Sequence, residues 1–253
     1  MMKNNPKPPV TTAHGLGERS YRQMVKTDLN VIQITVQETD LSIYADAPVR
    51  LPAKEAVYEQ RGYIEAFIQK HPQFVQTLTP YPMDSLAPPI VQDMIQAAQA
   101  AHVGPMAAVA GAIAEQVGRT LLHYTSNVIV ENGGDIFLSI QRPVTIGLYA
   151  GSSPLSLKTG LRVMPDAGIS AICTSSGTVG HSLSLGNADA VCVLSHSCAL
   201  ADAVATAVGN RVVKPIDITS AINWSRSIDG VYGIVIIIDD KIGAWGQLEL
   251  VPL

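Results

Sequence analysis

Residues 195–210, SHSCALADAVATAVGN, hold a single formally charged side chain, Asp202, among alanine, valine and leucine. A lone carboxylate among small apolar neighbours is costly to bury unless its charge is compensated. A metal ion, a basic side chain from elsewhere in the chain, or water on an exposed face could do so. Ser197 suits a helix N-cap and Gly209 a helix stop, so the stretch reads as a helix. Asp202 and Thr206 then stand one turn apart on the same face. A carboxylate and a hydroxyl so spaced offer two hard oxygen ligands to Mg²⁺ or a similar cation. By spacing alone the plainer arrangement is favoured, since such polar pairs are common: an ion pair from Asp202 to a remote Lys or Arg, with Thr206 bonded to its own helix backbone.

The surrounding chain sets limits on what this helix belongs to. Its 253 residues are 47% hydrophobic and only 15% charged, which implies a large core. Aromatics are 5%, so that core is aliphatic. A net charge of −4 leaves no basic footprint for nucleic acid. No stretch supplies the roughly 20 apolar residues of a membrane span. VYGIVIII is too short, and MAAVAGAIAEQVG meets Glu115. Residues 1–20 lack an apolar core and a cleavage site, so they read as a flexible, proline-rich tail rather than a signal peptide. Residues 21–253 read as one domain. Cys173, Cys192 and Cys198 have no CxxC spacing, which suits buried thiols in a reducing cytoplasm. No second ligand pair follows the HSC at 196–198, so a zinc site is not expected there.

The order of elements points to α+β. NVIQITV and LSIYAD alternate and read as a hairpin; residues 52–70 read as a helix stopped by Pro72. Residues 74–89 form a proline-punctuated connection. Two helices are expected at 89–102 and 105–122, broken at Gly104, with Pro105 opening the second. The second is so rich in Ala and Gly that neighbouring backbone must approach it closely. Strands are expected at 126–131, 135–140, 143–150, 160–164 and 187–195. A short helix at 215–224 and a closing hairpin at 232–250 complete the set. Runs of strands separate from runs of helices favour α+β over alternating βαβ.

Two further stretches could carry chemistry. In VIVENGGDIFLSI, the bland reading of Asn-Gly between strands is a turn. Gly133 and Gly134 would also let backbone approach a ligand, and Asp135 could orient the loop. ICTSSGTVGHSLSLGNADAV, residues 172–191, reads as a hydroxyl- and glycine-rich loop with many backbone N–H groups free for an anion. His181 is the residue in it suited to proton transfer near neutral pH. A generic surface loop with a solvated histidine has the same composition.

In order, these pieces resemble the ApbE-like proteins, the FAD:protein FMN transferases, over residues 104–209. In that family G-G-I-A-K-G is followed by N-L-G-G-D-I, A-T-S-G, H-I-I-D-P and A-D-A-L-A-T-A. The resemblance implies a single-domain, T-fold-like α+β architecture with an antiparallel or mixed sheet packed against helices. It also implies a Mg²⁺ site on Asp202, Thr206 and the carbonyl of Ala107. The cation would bridge the pyrophosphate of FAD or another nucleotide. Gly133, Gly134, Asp135, Thr174, Ser175 and Gly177 fall on the cofactor-binding motifs, and His181 falls on the family's catalytic histidine.

The chain departs from the pattern at Glu131, where the family has Asn, at Ala108, where it has Lys, and at Ser184, where it has a carboxylate. Metal ligation is retained in these motifs while groups near the reacting centre are altered. The expectation is a divergent cytoplasmic member that binds an anionic small molecule through Mg²⁺. It would act as a transferase or hydrolase at a phosphoryl centre, with weak or absent flavin transfer. The rivals are a non-catalytic flavin- or nucleotide-binding protein and a structural subunit. A homodimer is the expected assembly for so aliphatic a chain.

Overall fold

The alternation of apolar and polar residues at 30–45 folds as the hairpin it predicts. A computed structural model describes residues 25–177 and 185–253 of the chain. After the two-residue β1 (Val25–Lys26), β2 (Asn30–Val36) and β3 (Thr39–Ala45) pair antiparallel, with Ile34 and Val36 turned inward. α1 (Arg50–Lys70) begins two residues before Pro52, since a proline in the first turn lacks only an N–H that has no partner within the helix. A single turn, α2 (Gln73–Gln76), follows Pro72.

α3 (Pro89–Ala101) ends where His102 adopts a left-handed conformation, φ 56°, and the chain reverses. Pro105 opens a 3-10 turn, Pro105–Ala108, rather than the next α-helix, so α4 (Val109–Leu121) starts four residues later than expected. Gly104 is needed there: a Cβ would lie 2.0 Å from the Thr77 carbonyl oxygen.

β4 (Val128–Asn132) and β5 (Asp135–Ser139) form a hairpin whose two central residues are Gly133 and Gly134, φ 66° and 111°. Two positive φ values make it the tight turn whose twist suits adjoining strands. β6 (Val144–Gly147) and β7 (Thr159–Val163) pair with each other. β8 (Ala171–Ser175) occupies the first residues of the expected 172–191 loop as a central strand, hydrogen-bonded to β5 and β9 (Ala190–Ser195). α5 (Cys198–Gly209), α6 (Ile218–Ser225) and the β10 (Val231–Ile238)–β11 (Lys241–Gly246) hairpin follow. The expected hairpin stops at Gly246, φ 106°, where the chain leaves to add β12 (Glu249–Pro252) to a second sheet.

Two antiparallel sheets result, β11-β10-β9-β8-β5-β4-β3-β2 and β1-β6-β7-β12. α1, α3, α4 and α5 pack on one face of the larger sheet, and the smaller sheet covers the other. The central strands are thus buried on both faces, which explains why β9 and β10 read as continuous apolar runs. The α+β class and single-domain architecture are those expected. No single helix among the described residues is long and apolar enough to cross a membrane.

Candidate functional site

The helix of the opening stretch forms as its sequence predicts. The Ser197 hydroxyl accepts the Leu200 N–H at 3.4 Å, an N-cap that starts α5 at Cys198. Asp202 follows one turn later, buried against α4. Its Oδ2 accepts the N–H of Gly111 at 2.9 Å, in the first turn of α4, where amides have no partner within the helix. Among the described residues no Lys or Arg forms an ion pair with Asp202.

The acid that meets an arginine here is Glu115, on α4. Its Oε1 accepts from Arg119 Nη2 at 2.6 Å, while its Oε2 accepts the Cys198 N–H at 2.7 Å and the Ser197 hydroxyl at 3.3 Å. Each helix therefore carries a carboxylate that caps the N-terminus of the other. The two come together at Gly111, where a Cβ would lie 2.4 Å from the Cys198 carbonyl oxygen and 2.9 Å from Asp202 Cβ. Sequence reasoning called for close backbone approach to this helix without identifying Gly111 or Glu115. The signal was present: a glycine inside a helical pattern, and one acid in an otherwise apolar run.

The β4–β5 turn lies beside this contact. Asn132 Nδ2 donates to the Ala110 carbonyl at 3.0 Å, tying the turn to the start of α4. Glu131 Oε1 accepts the Gly134 N–H at 3.0 Å, so the residue standing at the family's Asn closes the glycine turn. Asp135 is buried and pairs across the strands with Cys173. Asp135 Oδ1 is buried with no hydrogen-bond partner among the described residues.

Burial drives the electrostatics. It pushes the Asp202 carboxyl up to about 7, against the pull of the Gly111 and Ala110 amides. Burial, and after it the Asp202 charge, pushes Asp135 well above the ordinary carboxylate range. Contacts with the Cys173 thiol and Thr174 amide draw it down, and Glu131 adds a smaller rise. Burial also raises the thiols of Cys173, Cys192 and Cys198, Cys192 to about 12, which keeps all three protonated. Among the described residues no three His, Cys, Asp or Glu side chains are placed to hold a metal. A mixed set of one acid, a hydroxyl and a carbonyl is a different arrangement from such a cluster.

The remaining expected residues divide by position. Thr206 is half-buried one turn beyond Asp202, and Ala107 is half-buried in the 3-10 turn that packs against α5. Ala108 is fully buried, filling core space where the family has Lys. Thr174 turns its hydroxyl to Cys192 on the opposite face of the sheet, toward the smaller sheet. Its neighbours along β8 face the helices, and Ser175 Oγ lies beside Gly209 at the end of α5. The Gly177 N–H is engaged by the Ala188 carbonyl at 2.8 Å. His181 and Ser184 lie outside the described residues. Ala110 and Asn132 line a cavity of about 360 Å³ together with Ile64, Met106, Val109 and Arg61.

A family model described as "AbpE bacteria" matches residues 22–230. The UPF0280 protein of Methanocella arvoryzae is 42% identical over 214 residues, covering 84% of this chain and 87% of its own. That of Methanococcus aeolicus is 38% identical over 222 residues, covering 85% and 90%. Among solved structures, the flavin transferase ApbE from Vibrio cholerae aligns with a TM-score of 0.53 at 12% identity, over 87% of this chain and 97% of its own. The ApbE protein of Thermotoga maritima aligns with a TM-score of 0.55 at 12% identity, over 85% and 96%. At such identities the solved structures speak for the fold. The sequence matches speak for descent, and the chain belongs to the ApbE-like family that includes the UPF0280 proteins.

Proposed function

We propose that the chain binds a phosphorylated small molecule, a flavin or another nucleotide, through Mg²⁺ at Asp202. The observation that carries this reading is a buried carboxyl near enough to a second for their charges to interact, with no Lys or Arg paired to it among the described residues. A cation supplies the missing compensation, and the orphaned Asp135 Oδ1 fits the same need. Asp202, the Thr206 hydroxyl and the Ala107 carbonyl are the residues to hold it. Bound there, Mg²⁺ would polarise a phosphoryl oxygen and neutralise charge as that centre reacts.

The chain's own groups have complementary tasks. Amides of the first turn of α4 orient the Asp202 carboxylate, and the adjoining cavity takes the apolar part of a nucleotide. His181 is the group for proton transfer, and the reaction is transfer or hydrolysis at the phosphoryl centre. Flavin transfer to protein is weak or absent, because Ser184 and Ala108 replace a carboxylate and a lysine.

The same replacements favour a second reading, binding without turnover. A thermal-shift screen of flavins, nucleotides and sugar phosphates, with and without Mg²⁺, tests both. A ligand that stabilises the protein only with Mg²⁺ supports the site; its conversion to products supports the enzyme, and its recovery intact supports the binding protein. No Mg²⁺-dependent ligand at all defeats the reading.

A further inference from the structure

The first turn of α5 rests on β5 and β8. The Cys198 thiol donates to the Ile136 carbonyl at 3.5 Å, and the Cys173 thiol to the Cys198 carbonyl at 3.4 Å. Asp202 lies four residues on, so it leaves the same face of the helix as Cys198. On the sheet, Asp135 shares a face with Phe137, whose ring occupies the space a Cβ at Gly118 of α4 would need. Asp135 therefore points to the helix layer, opposite Cys173 and toward Asp202, close enough for their charges to interact. Asp135 is 7% exposed and Asp202 9%. Neither has a Lys or Arg partner among the described residues, and Asp135 Oδ1 has no hydrogen-bond partner there.

Two buried carboxyls on the same side of the helix–sheet contact, one with an oxygen that no donor among the described residues meets, can be neutralised by protons or, once ionised, by a cation from outside the chain. Hard oxygen donors select a hard cation, of the Mg²⁺ or Mn²⁺ type. We propose that Asp135 is a second carboxylate ligand of the cation at Asp202, so that the ion sits between α5 and the β4–β5 turn. This rests on the Asp202 reading above and adds a consequence to it. A divalent ion on Asp202 alone keeps a net positive charge and depends on an anionic ligand to complete it. On two carboxylates it is neutralised by the protein and binds before any ligand.

The test is a titration of the full chain with Mn²⁺ alone, followed by isothermal calorimetry and by loss of the free-ion EPR signal. Wild type is expected to bind one ion per chain. Asp135→Asn and Asp202→Asn are each expected to weaken that binding at least tenfold. Asp135→Ser serves as a second neutral variant should Asp135→Asn fold poorly by circular dichroism. Wild-type affinity in both neutral Asp135 variants overturns the proposal while leaving the Asp202 site in place. Wild-type binding of Mn²⁺ only when inorganic pyrophosphate is present does the same. Absence of Mn²⁺ binding both with and without pyrophosphate overturns the proposal and the Asp202 reading together.

Discussion

Asp202 and Gly111 are joined across 91 residues of chain by one hydrogen bond, 2.9 Å from amide nitrogen to carboxylate oxygen. Glu115 returns the contact by accepting the Cys198 N–H at 2.7 Å. The acid that the sequence marks as unusual is thus held by a helix N-terminus, where partial positive charge and free amides favour an anion. That contact satisfies one oxygen and leaves the carboxyl buried near Asp135. Structural capping and cation binding are compatible roles for the one side chain, and mutation separates them.

Asp202→Asn keeps an oxygen for the Gly111 amide, so metal-free stability should stay within about 1 kcal/mol of wild type. The variant should lose the response to Mg²⁺, which in wild type is worth about 2.7 kcal/mol at a hundredfold excess over Kd. Melting curves across a magnesium titration provide the check. A flat wild-type curve combined with a clear metal-free loss in Asp202→Asn would show a cap and nothing more.

Glu115→Ala strips the acceptor from a buried amide, and should cost about 1–3 kcal/mol in urea unfolding. Arg119→Ala removes only a partner whose side chain is 55% exposed, and should cost less than about 1 kcal/mol. Equal losses would mean that the ion pair, rather than the cap on α5, gives Glu115 its role.

Gly111→Ala should destabilise the fold by about 1–3 kcal/mol despite alanine's better helix propensity. The added methyl meets the Cys198 carbonyl, which is backbone and cannot rotate away. A neutral or stabilising result in denaturant would contradict the close approach of α4 and α5.

The pH dependence has a definite sign. The Asp202 carboxyl titrates at about 7 in the folded chain, against an ordinary 3.8, so the folded state retains a proton that the unfolded chain has released. Metal-free stability should therefore fall as pH rises from about 4 to about 7, and Asp135, raised by burial and by the Asp202 charge, adds to the fall. A cation competes with that proton, so stabilisation by Mg²⁺ should be larger at pH 8 than at pH 6. Urea melts at four pH values with and without metal measure both. Asp202→Asn should flatten the metal-free slope, and an unchanged slope would assign it to another group.

Incubation with FAD, Mg²⁺ and a threonine-containing acceptor should leave the acceptor free of covalent flavin, as read by in-gel fluorescence and mass. Stoichiometric labelling would show that Ala108 and Ser184 can stand where the family has Lys and a carboxylate.

Much of the fold was legible because local chemistry decides it. The β2–β3 alternation, the Ser197 cap and the glycine turn at 133 and 134 each form from neighbours in sequence. Where the structure departs, a longer-range demand prevailed. Gly104 lies against the Thr77 carbonyl with no room for a Cβ, and Pro105 opens a 3-10 turn there before α4 starts. Residues 172–175 look like the start of a loop because hydroxyl and small residues follow, yet hydrogen bonds to β5 and β9 on both sides make them part of a central strand.

The sequence by itself determined that Asp202 would stand on a helix, one turn from Thr206, in a chain with the ApbE-like order of motifs. Spacing along a helix needs no tertiary information. Only the tertiary structure decided what faces that carboxylate: the Gly111 amide from 91 residues earlier and Asp135 from the neighbouring sheet. Glu115 and Asp202 are both lone acids in apolar helices, but Glu115 has Arg119 four residues on, a partner that helix spacing alone supplies. Asp202 has no basic residue within a turn of it, and packing gave it backbone amides and a second acid, because contacts between distant segments depend on distances that the fold alone sets.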